Sequence, residues 1–471
     1  MDHMKPNILV YFTDQQRPDT IGCYGQKLPV TPVLDQLAQD GVLFTNAFTC
    51  QPVCGPARAC LQTGRYASDT GAFVNSIGLQ PEDDTIAKQL KAAGYETAYI
   101  GKWHLSCDYN KKIFIYDAPI PPERRGGYED YAVMCEALEE ISHGYDGHIF
   151  DTQGKRLDFI GYRADCITDY AIHYLHHRDR DQPFFLFLSH IEPHHQNDHD
   201  CYEGPDGSRE RFRNYDPPDD LLCREREGDW RKHYPDYLGC CSSLDYNLGR
   251  IVDTLKEYGD YENTILIFAS DHGCHFRTRE GENKRQCFDS CLRIPLVIRG
   301  GAFRGGKQID ELVSLINLPP TILRMAGISV PEYMVEEPIQ VLLEGNTETW
   351  QKDIFYQISE AELARGIRTK KYKYCVSAPH VQPLQNLDDI VGLEKYLAMV
   401  GRCVMDSSSY IEQYLFDLEQ DPVESINLIE EPEMETVRQK LRKQLCQHME
   451  RAKERVPEIY SRKTAKEMGI I

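Results

Sequence analysis

The sequence predicts an α/β protein, a mostly parallel sheet with helices on both faces, and three features carry that expectation. Strand-like and helix-like segments alternate through the first two thirds of the chain. Several strand-like runs are apolar along their whole length, as strands covered on both faces are. Two of them end directly in acidic residues, where open α/β sheets bind ligands.

Taken in order, Asn7–Thr13 reads as a buried strand rich in β-branched and aromatic residues. Thr31 and Pro32 open a helix with a hydroxyl cap and a first-turn proline, and Gly41 closes it. A second strand is expected over 42–47, and a short helix over 56–63 that stops at Gly64. A helix over 85–93 ends at Gly94 and leads into a strand at 96–100. Then follow a helix over 162–177, a strand at 184–188, a long helix within 238–258, and the buried strand Thr264–Ser270. After Ala326 the texture changes. Short antiparallel strands are expected at 366–369, 372–376 and 414–418, with a charged helix over 432–451. The reading is an α/β domain over 1–340 and a smaller C-terminal α+β domain, an antiparallel sheet plus a helix, over 341–471. Two polar stretches, 108–161 and 195–236, are too long for simple connections and are expected to shape a binding site or decorate the surface.

Composition narrows the function classes. The 471 residues carry 53 basic and 74 acidic side chains, a formal charge of −21, which argues against a nucleic-acid partner. A 41% hydrophobic and 27% charged chain is not disordered. No run approaches the ~18 apolar residues of a membrane span, so no membrane partner is expected. No apolar signal segment precedes the first strand, which suggests a cytoplasmic location, although a trimmed secreted form would look the same. The 17 cysteines lack paired zinc-type spacing and fit reduced thiols.

Chemistry concentrates at three places. Asp14 and Gln15 follow the first strand; Asp271 and His272 follow Thr264–Ser270. Oxygen donors with one imidazole suit Ca²⁺, Mg²⁺ or Mn²⁺, although either acid alone could merely cap a turn. Between them lies Cys54-Gly55-Pro56-Ala57-Arg58, in which Pro56 and Gly64 bracket a short helix and put Cys54 at its amino end. Free amides and the helix dipole there favour an anion and lower a thiol's pKa. A buried structural cysteine is the competing reading.

The Cys-x-Pro-x-Arg core followed by Thr63-Gly64-Arg65 resembles the signature of type I sulfatases, in the alkaline phosphatase superfamily. Further motifs resemble that family in order: Asp14, Gly101-Lys102-Trp103-His104, Pro193-His194, Ser270-Asp271-His272-Gly273, Lys284-Arg285 and Tyr414 to Pro422. The resemblance implies an alkaline-phosphatase-like fold and hydrolysis of a sulfate ester. It implies that Cys54 is converted by a maturation enzyme to formylglycine, whose hydrate is the nucleophile. Asp14, Gln15, Asp271, His272 and residue 54 would hold a divalent metal, with Ca²⁺ expected and Mn²⁺ or Mg²⁺ as alternatives. Arg58 would orient the nucleophile, and Lys102, His194 and Lys284 would bind sulfate. His194 or Lys284 would protonate the leaving alcohol, and His104 would take the proton that expels sulfate.

Gln15 replaces a second acid and His272 an asparagine common in the family, variants that resemble the phosphonate monoester hydrolase and choline sulfatase branches. The expected substrate is a small sulfated sugar. Alternatives are a phosphonate or phosphate diester, an aryl or choline sulfate, or a sulfated glycan merely bound without turnover. An oligomer remains open. Leaving-group contacts are expected from Tyr109, Tyr116, Tyr128, Arg163, Trp230 and Arg365.

Overall fold

A computed structural model describes residues 5–222, 226–345, 347–383 and 392–471; residues 1–4 and Cys223 lie outside them. Ten strands make the main sheet. Their spatial order is Lys307–Ile309, Val42–Phe44, Leu296–Arg299, Thr264–Ser270, Asn7–Thr13, Phe184–Ser189, Glu96–Lys102, Tyr131–Cys135, His148–Phe150 and Arg156–Asp158. The five strands from Thr264–Ser270 to Tyr131–Cys135 run parallel. Their carboxyl ends therefore open at one edge, which places Asp14, Lys102, His190 and Asp271 beside one another.

Both faces of these strands are buried, and the two-residue period divides their side chains between two cores. Ile8, Val10, Phe12, Phe185 and Phe187 face one core, which is closed by the helices Cys54–Thr63, Ile86–Ala92 and Leu318–Met325. Leu9, Tyr11, Phe184, Leu186 and Leu188 face the other, which is closed by the helices Pro32–Asp40, Arg163–His177 and Trp230–Glu257. Each fully buried Leu, Ile or Phe stabilises by about 1.5–3 kcal/mol, so the site rests on a rigid platform.

The expected alternation is present, with three corrections. The stretch 108–161 is not purely an insertion: it supplies three strands that extend the main sheet. The 42–47 segment divides, with Val42–Phe44 in the main sheet and Ala47–Phe48 in a three-stranded sheet with Arg293–Ile294 and Val313–Ser314. The long helix begins at Trp230, eight residues before the expected start at 238. Pro235 sits in its second turn, and the carbonyl that loses a partner belongs to the exposed Arg231.

A five-stranded sheet lies toward the carboxyl end, in the order Asp353–Ile358, Ala364–Thr369, Tyr372–Ser377, Ser409–Asp417, Glu458–Tyr460. Its first four strands are antiparallel neighbours. The helix Glu435–Arg451 covers one face through Leu441, Leu445 and Met449, in one core with Cys50, Cys60 and Tyr66. The second sheet thus packs on the helix that carries Cys54. No helix among the described residues is long and apolar enough to cross a membrane.

Candidate active site

Cys54 is the first residue of the helix Cys54–Thr63, which Gly64 ends in the left-handed region at φ 68°. Its sulfur lies 2.9 Å from Lys284 Nζ, 3.2 Å from His272 Nε2 and 3.5 Å from Asp14 Oδ1. His104 and His194 also adjoin the thiol. Burial works against the thiolate, yet the ammoniums of Lys102 and Lys284, with His272, outweigh it and hold the Cys54 thiol well below its ordinary range.

One turn along the same helix, Arg58 ties the floor of the pocket together. Its Nη2 donates to Asp14 Oδ2 at 3.0 Å and Asp271 Oδ2 at 3.2 Å, and its Nη1 donates to Ser189 Oγ and the Lys102 carbonyl. Lys102 Nζ bridges Asp14 Oδ2 at 2.9 Å and Glu139 Oε1 at 2.7 Å. Burial alone would raise Glu139, but Lys102 and His194 hold its carboxyl down at about 2. Asp271 behaves oppositely: burial, then the Asp14 charge, push it up to about 6.

His194 Nε2 lies 2.8 Å from Lys284 Nζ. An ammonium can only donate, so His194 accepts at Nε2 and carries its proton on Nδ1. His272 Nδ1 lies 2.9 Å from the Gly273 carbonyl, which can only accept, so Nδ1 carries a proton and Nε2 is turned into the pocket.

The donor set fits a divalent cation. Asp14, Cys54, Asp271 and His272 are fully buried and bring their ligand atoms within 4.8 Å of one another. Gln15 holds φ 66°, and its buried Oε1 has no hydrogen-bond partner, an acceptor left for a ligand. Its backbone carbonyl accepts from Tyr237, and its N–H donates to Asp271 Oδ1. Arg58, Lys102 and Lys284 face Asp14, Asp271 and Glu139, so a bound cation would leave the pocket with excess positive charge.

All the site residues expected from the sequence therefore converge: Asp14, Gln15, Cys54, Arg58, Lys102, His104, His194, Asp271, His272 and Lys284. Glu139, Ser189, Asn75 and Glu360 join them without any local sequence signature. The expected leaving-group residues divide. Tyr128, Arg163, Trp230 and Arg365 are all buried and serve packing. Tyr128 donates to Gln62, Arg163 pairs with Glu192 and Arg365 with Glu454. Trp230 packs with Tyr215 and Tyr234 at the start of its helix. Tyr109 and Tyr116 are half-buried near the Asn75–Ser76 turn.

The pocket sets Cys54 at a helix amino end among lysine ammoniums and a donor set for a divalent cation, surroundings suited to an anion. The chain belongs to the sulfatase family, whose enzymes hydrolyse sulfate esters: the family model described as Sulfatase matches residues 6–328. The model described as N-sulphoglucosamine sulphohydrolase, C-terminal, matches residues 281–388. Among relatives, the N-acetylglucosamine-6-O-sulfatase of Bacteroides thetaiotaomicron is 27% identical, with 78% of each chain covered. The sulfatase YidJ of Escherichia coli is 32% identical, with 74% of this chain and 75% of that one covered. The crystal structure of a yidJ sulfatase from Bacteroides fragilis matches at a TM-score of 0.78 and 26% identity, covering 96% of each chain.

Proposed function

We propose that this chain removes sulfate from a sulfated carbohydrate, using residue 54 as the nucleophile after its conversion to formylglycine. The observation that carries the reading is Lys284 Nζ, 2.9 Å from Cys54 Sγ at a helix amino end, above Arg58 and a cation-type ligand set. The likeness to an N-acetylglucosamine-6-O-sulfatase supports a sugar substrate.

Asp14, Gln15, Asp271 and His272 would hold the divalent cation, and their oxygen-rich set favours Ca²⁺. When bound, such a cation acidifies the attacking hydroxyl and draws charge from the sulfate oxygens. A hydrated aldehyde at residue 54 offers two hydroxyls, one to attack sulfur and one whose deprotonation releases sulfate, which a serine ester cannot do.

The chain's own residues supply the rest. Lys284 and Lys102 attract the sulfate and keep it beside the helix amino end. Lys284 is the proton donor to the leaving alcohol, because His194 accepts at Nε2 from Lys284 and has no proton there to give. His104, beside residue 54, takes the hydroxyl proton that frees sulfate. Arg58 keeps Asp14 and Asp271 apart and aimed at the cluster.

The test is sulfate release by protein co-expressed with a formylglycine-generating enzyme, with Ca²⁺ present. N-acetylglucosamine 6-sulfate and sulfated disaccharides would be compared with an aryl sulfate and a phosphonate monoester. A higher kcat/KM on a sugar sulfate is the expected result. Preference for the phosphonate would move the chain to that branch, and glycan binding without turnover would make it a lectin.

A further inference from the structure

The hairpin between the strands Asp353–Ile358 and Ala364–Thr369 carries a carboxylate into the catalytic pocket's wall. Glu360 is fully buried there. Its Oε1 accepts from the Asn75 backbone N–H at 2.6 Å, and its Oε2 accepts from Arg285 Nε at 2.6 Å. Both partners stand one step from the reacting groups. Asn75 Oδ1 accepts from the Gly55 N–H at 2.8 Å, the amide next to Cys54. Arg285 directly follows Lys284 and holds φ 76°, a left-handed conformation that a side chain adopts only under constraint.

The fit at Gly55 shows how close this approach is. A methyl group added at residue 55 would lie 2.8 Å from Asn75 Oδ1 and 3.3 Å from the His104 carbonyl. The glycine in Cys54-Gly55-Pro56 is therefore what admits the Asn75 carboxamide to the first turn of the helix. Asn75 satisfies one of the free amides at that end, and Glu360 fixes Asn75. Ser76, at φ 62°, is held from the same side by the Tyr116 hydroxyl at 2.7 Å.

We propose that Glu360 is a positioning residue for the reaction, acting through Asn75 on residue 54 and through Arg285 on Lys284. It is the element by which the C-terminal sheet sets the geometry of a pocket built on the main sheet. The inference rests on residue 54 being the nucleophile. A carboxylate serves at this place because its two oxygens accept at once from a backbone amide and from the guanidinium that Glu282 also pairs; an amide side chain offers one acceptor oxygen. A displacement of about 1 Å at the nucleophile costs roughly 100-fold in rate, so a residue that touches no substrate can still govern kcat.

The experiment is a double-mutant cycle on Asn75 and Glu360, with turnover normalised to the formylglycine content measured by mass spectrometry. Glu360→Gln should lower kcat about 10-fold and Asn75→Ala by a similar factor, with KM within about 2-fold of the unaltered enzyme. The double variant should lose no more than about 20-fold, because both changes break one connection; a merely structural role would multiply the losses to about 100-fold. Glu360→Ala leaves Arg285 with Glu282 as its remaining carboxylate and empties a buried site, which tests the fold, so Glu360→Gln carries the argument. Hydrogen exchange is read in parallel and needs no turnover. Uptake should rise in peptides covering 50–60 and 282–288 while 163–177 stays protected. Variants with unchanged kcat, multiplicative losses, or unchanged exchange in both peptides would overturn the proposal. If the unaltered enzyme carries formylglycine yet releases no sulfate, the sulfatase reading fails instead, and exchange alone decides the positioning role.

Discussion

Lys284 Nζ sits between two acceptors, 2.9 Å from Cys54 Sγ and 2.8 Å from His194 Nε2. The lysine thus faces the proposed nucleophile while the histidine holds it there. Lys284→Met keeps the length of the side chain and removes its charge and its protons. The expected loss in kcat on an alkyl sulfate is about 10²–10³-fold, the range for removing one electrostatic donor from a dry site. An aryl sulfate, whose leaving group needs no proton, should lose less. Equal losses on both would mean that Lys284 binds the anion without donating a proton.

Cys54→Ala should abolish turnover and leave the thermal midpoint nearly unchanged, since the side chain lies at a helix end and outside either face of the main sheet. The matching observation is a tryptic peptide in which Cys54, alone among the 17 cysteines, has become an aldehyde. Full activity from a protein with only unmodified Cys54 would falsify the nucleophile assignment.

Arg58 bonds both Asp14 and Asp271, and all three are almost wholly buried. Arg58→Ala leaves Asp271 without its guanidinium and Asp14 with Lys102 alone, and breaking a buried pair of this kind costs about 3–5 kcal/mol. A divalent cation at the same carboxylates should restore part of that loss. The expected pattern is a large drop in thermal midpoint in chelator and a smaller one in millimolar Ca²⁺. A drop of the same size in both would remove the cation from this cluster.

The pattern of what was legible follows from range. Asn7–Thr13 is read at once because both of its faces are apolar, and Cys54 falls at a helix start because Pro56 and Gly64 are local signals. The strand Tyr131–Cys135 escapes notice because only five residues lie between Asp130 and Glu136. Asn75 and Glu360 are 285 positions apart, and nothing local in either marks the other. Aromatic and arginine residues in polar stretches suggest ligand contact, yet Trp230 and Arg365 lie in packing layers that only the tertiary structure reveals.

Asp245 gives a pH dependence unconnected with the active site. Its carboxylate accepts from the N–H groups of Val33 and Leu34, at 3.0 and 2.8 Å, at the start of the helix Pro32–Asp40. Burial outweighs those bonds and raises its pKa from 3.8 to about 7. Between those values the folded chain binds more protons than the unfolded one. This group's contribution to stability is therefore present at low pH and lost as pH rises through about 7. Asp245→Asn cannot ionise. The variant's thermal midpoint relative to the unaltered chain should rise from pH 5 to about pH 7 and then level off, and a flat difference across that range would place the titration elsewhere.

Tyr116 and its aromatic neighbours are where we expect contacts to the leaving group. Its hydroxyl is bound to Ser76, next to Asn75, and its ring lies 9° from parallel to that of Phe114, which is 38% exposed. Tyr109 meets Phe114 edge-on, so three aromatic rings from the 108–161 stretch stand together at the turn that borders residue 54. Sugars present flat C–H faces to such rings, and contacts remote from sulfur contribute to binding in substrate and transition state alike. Phe114→Ala should raise KM for a sulfated glycan about 3–10-fold with kcat little changed, whereas Tyr116→Ala, which also releases Ser76, should raise KM and lower kcat. Tyr128→Phe, which removes only the bond to the buried Gln62, should leave KM alone and lower the thermal midpoint. If Phe114→Ala instead lowers kcat on every substrate, its ring acts through Tyr116, Ser76 and Asn75 on the nucleophile, and the sugar contacts lie elsewhere.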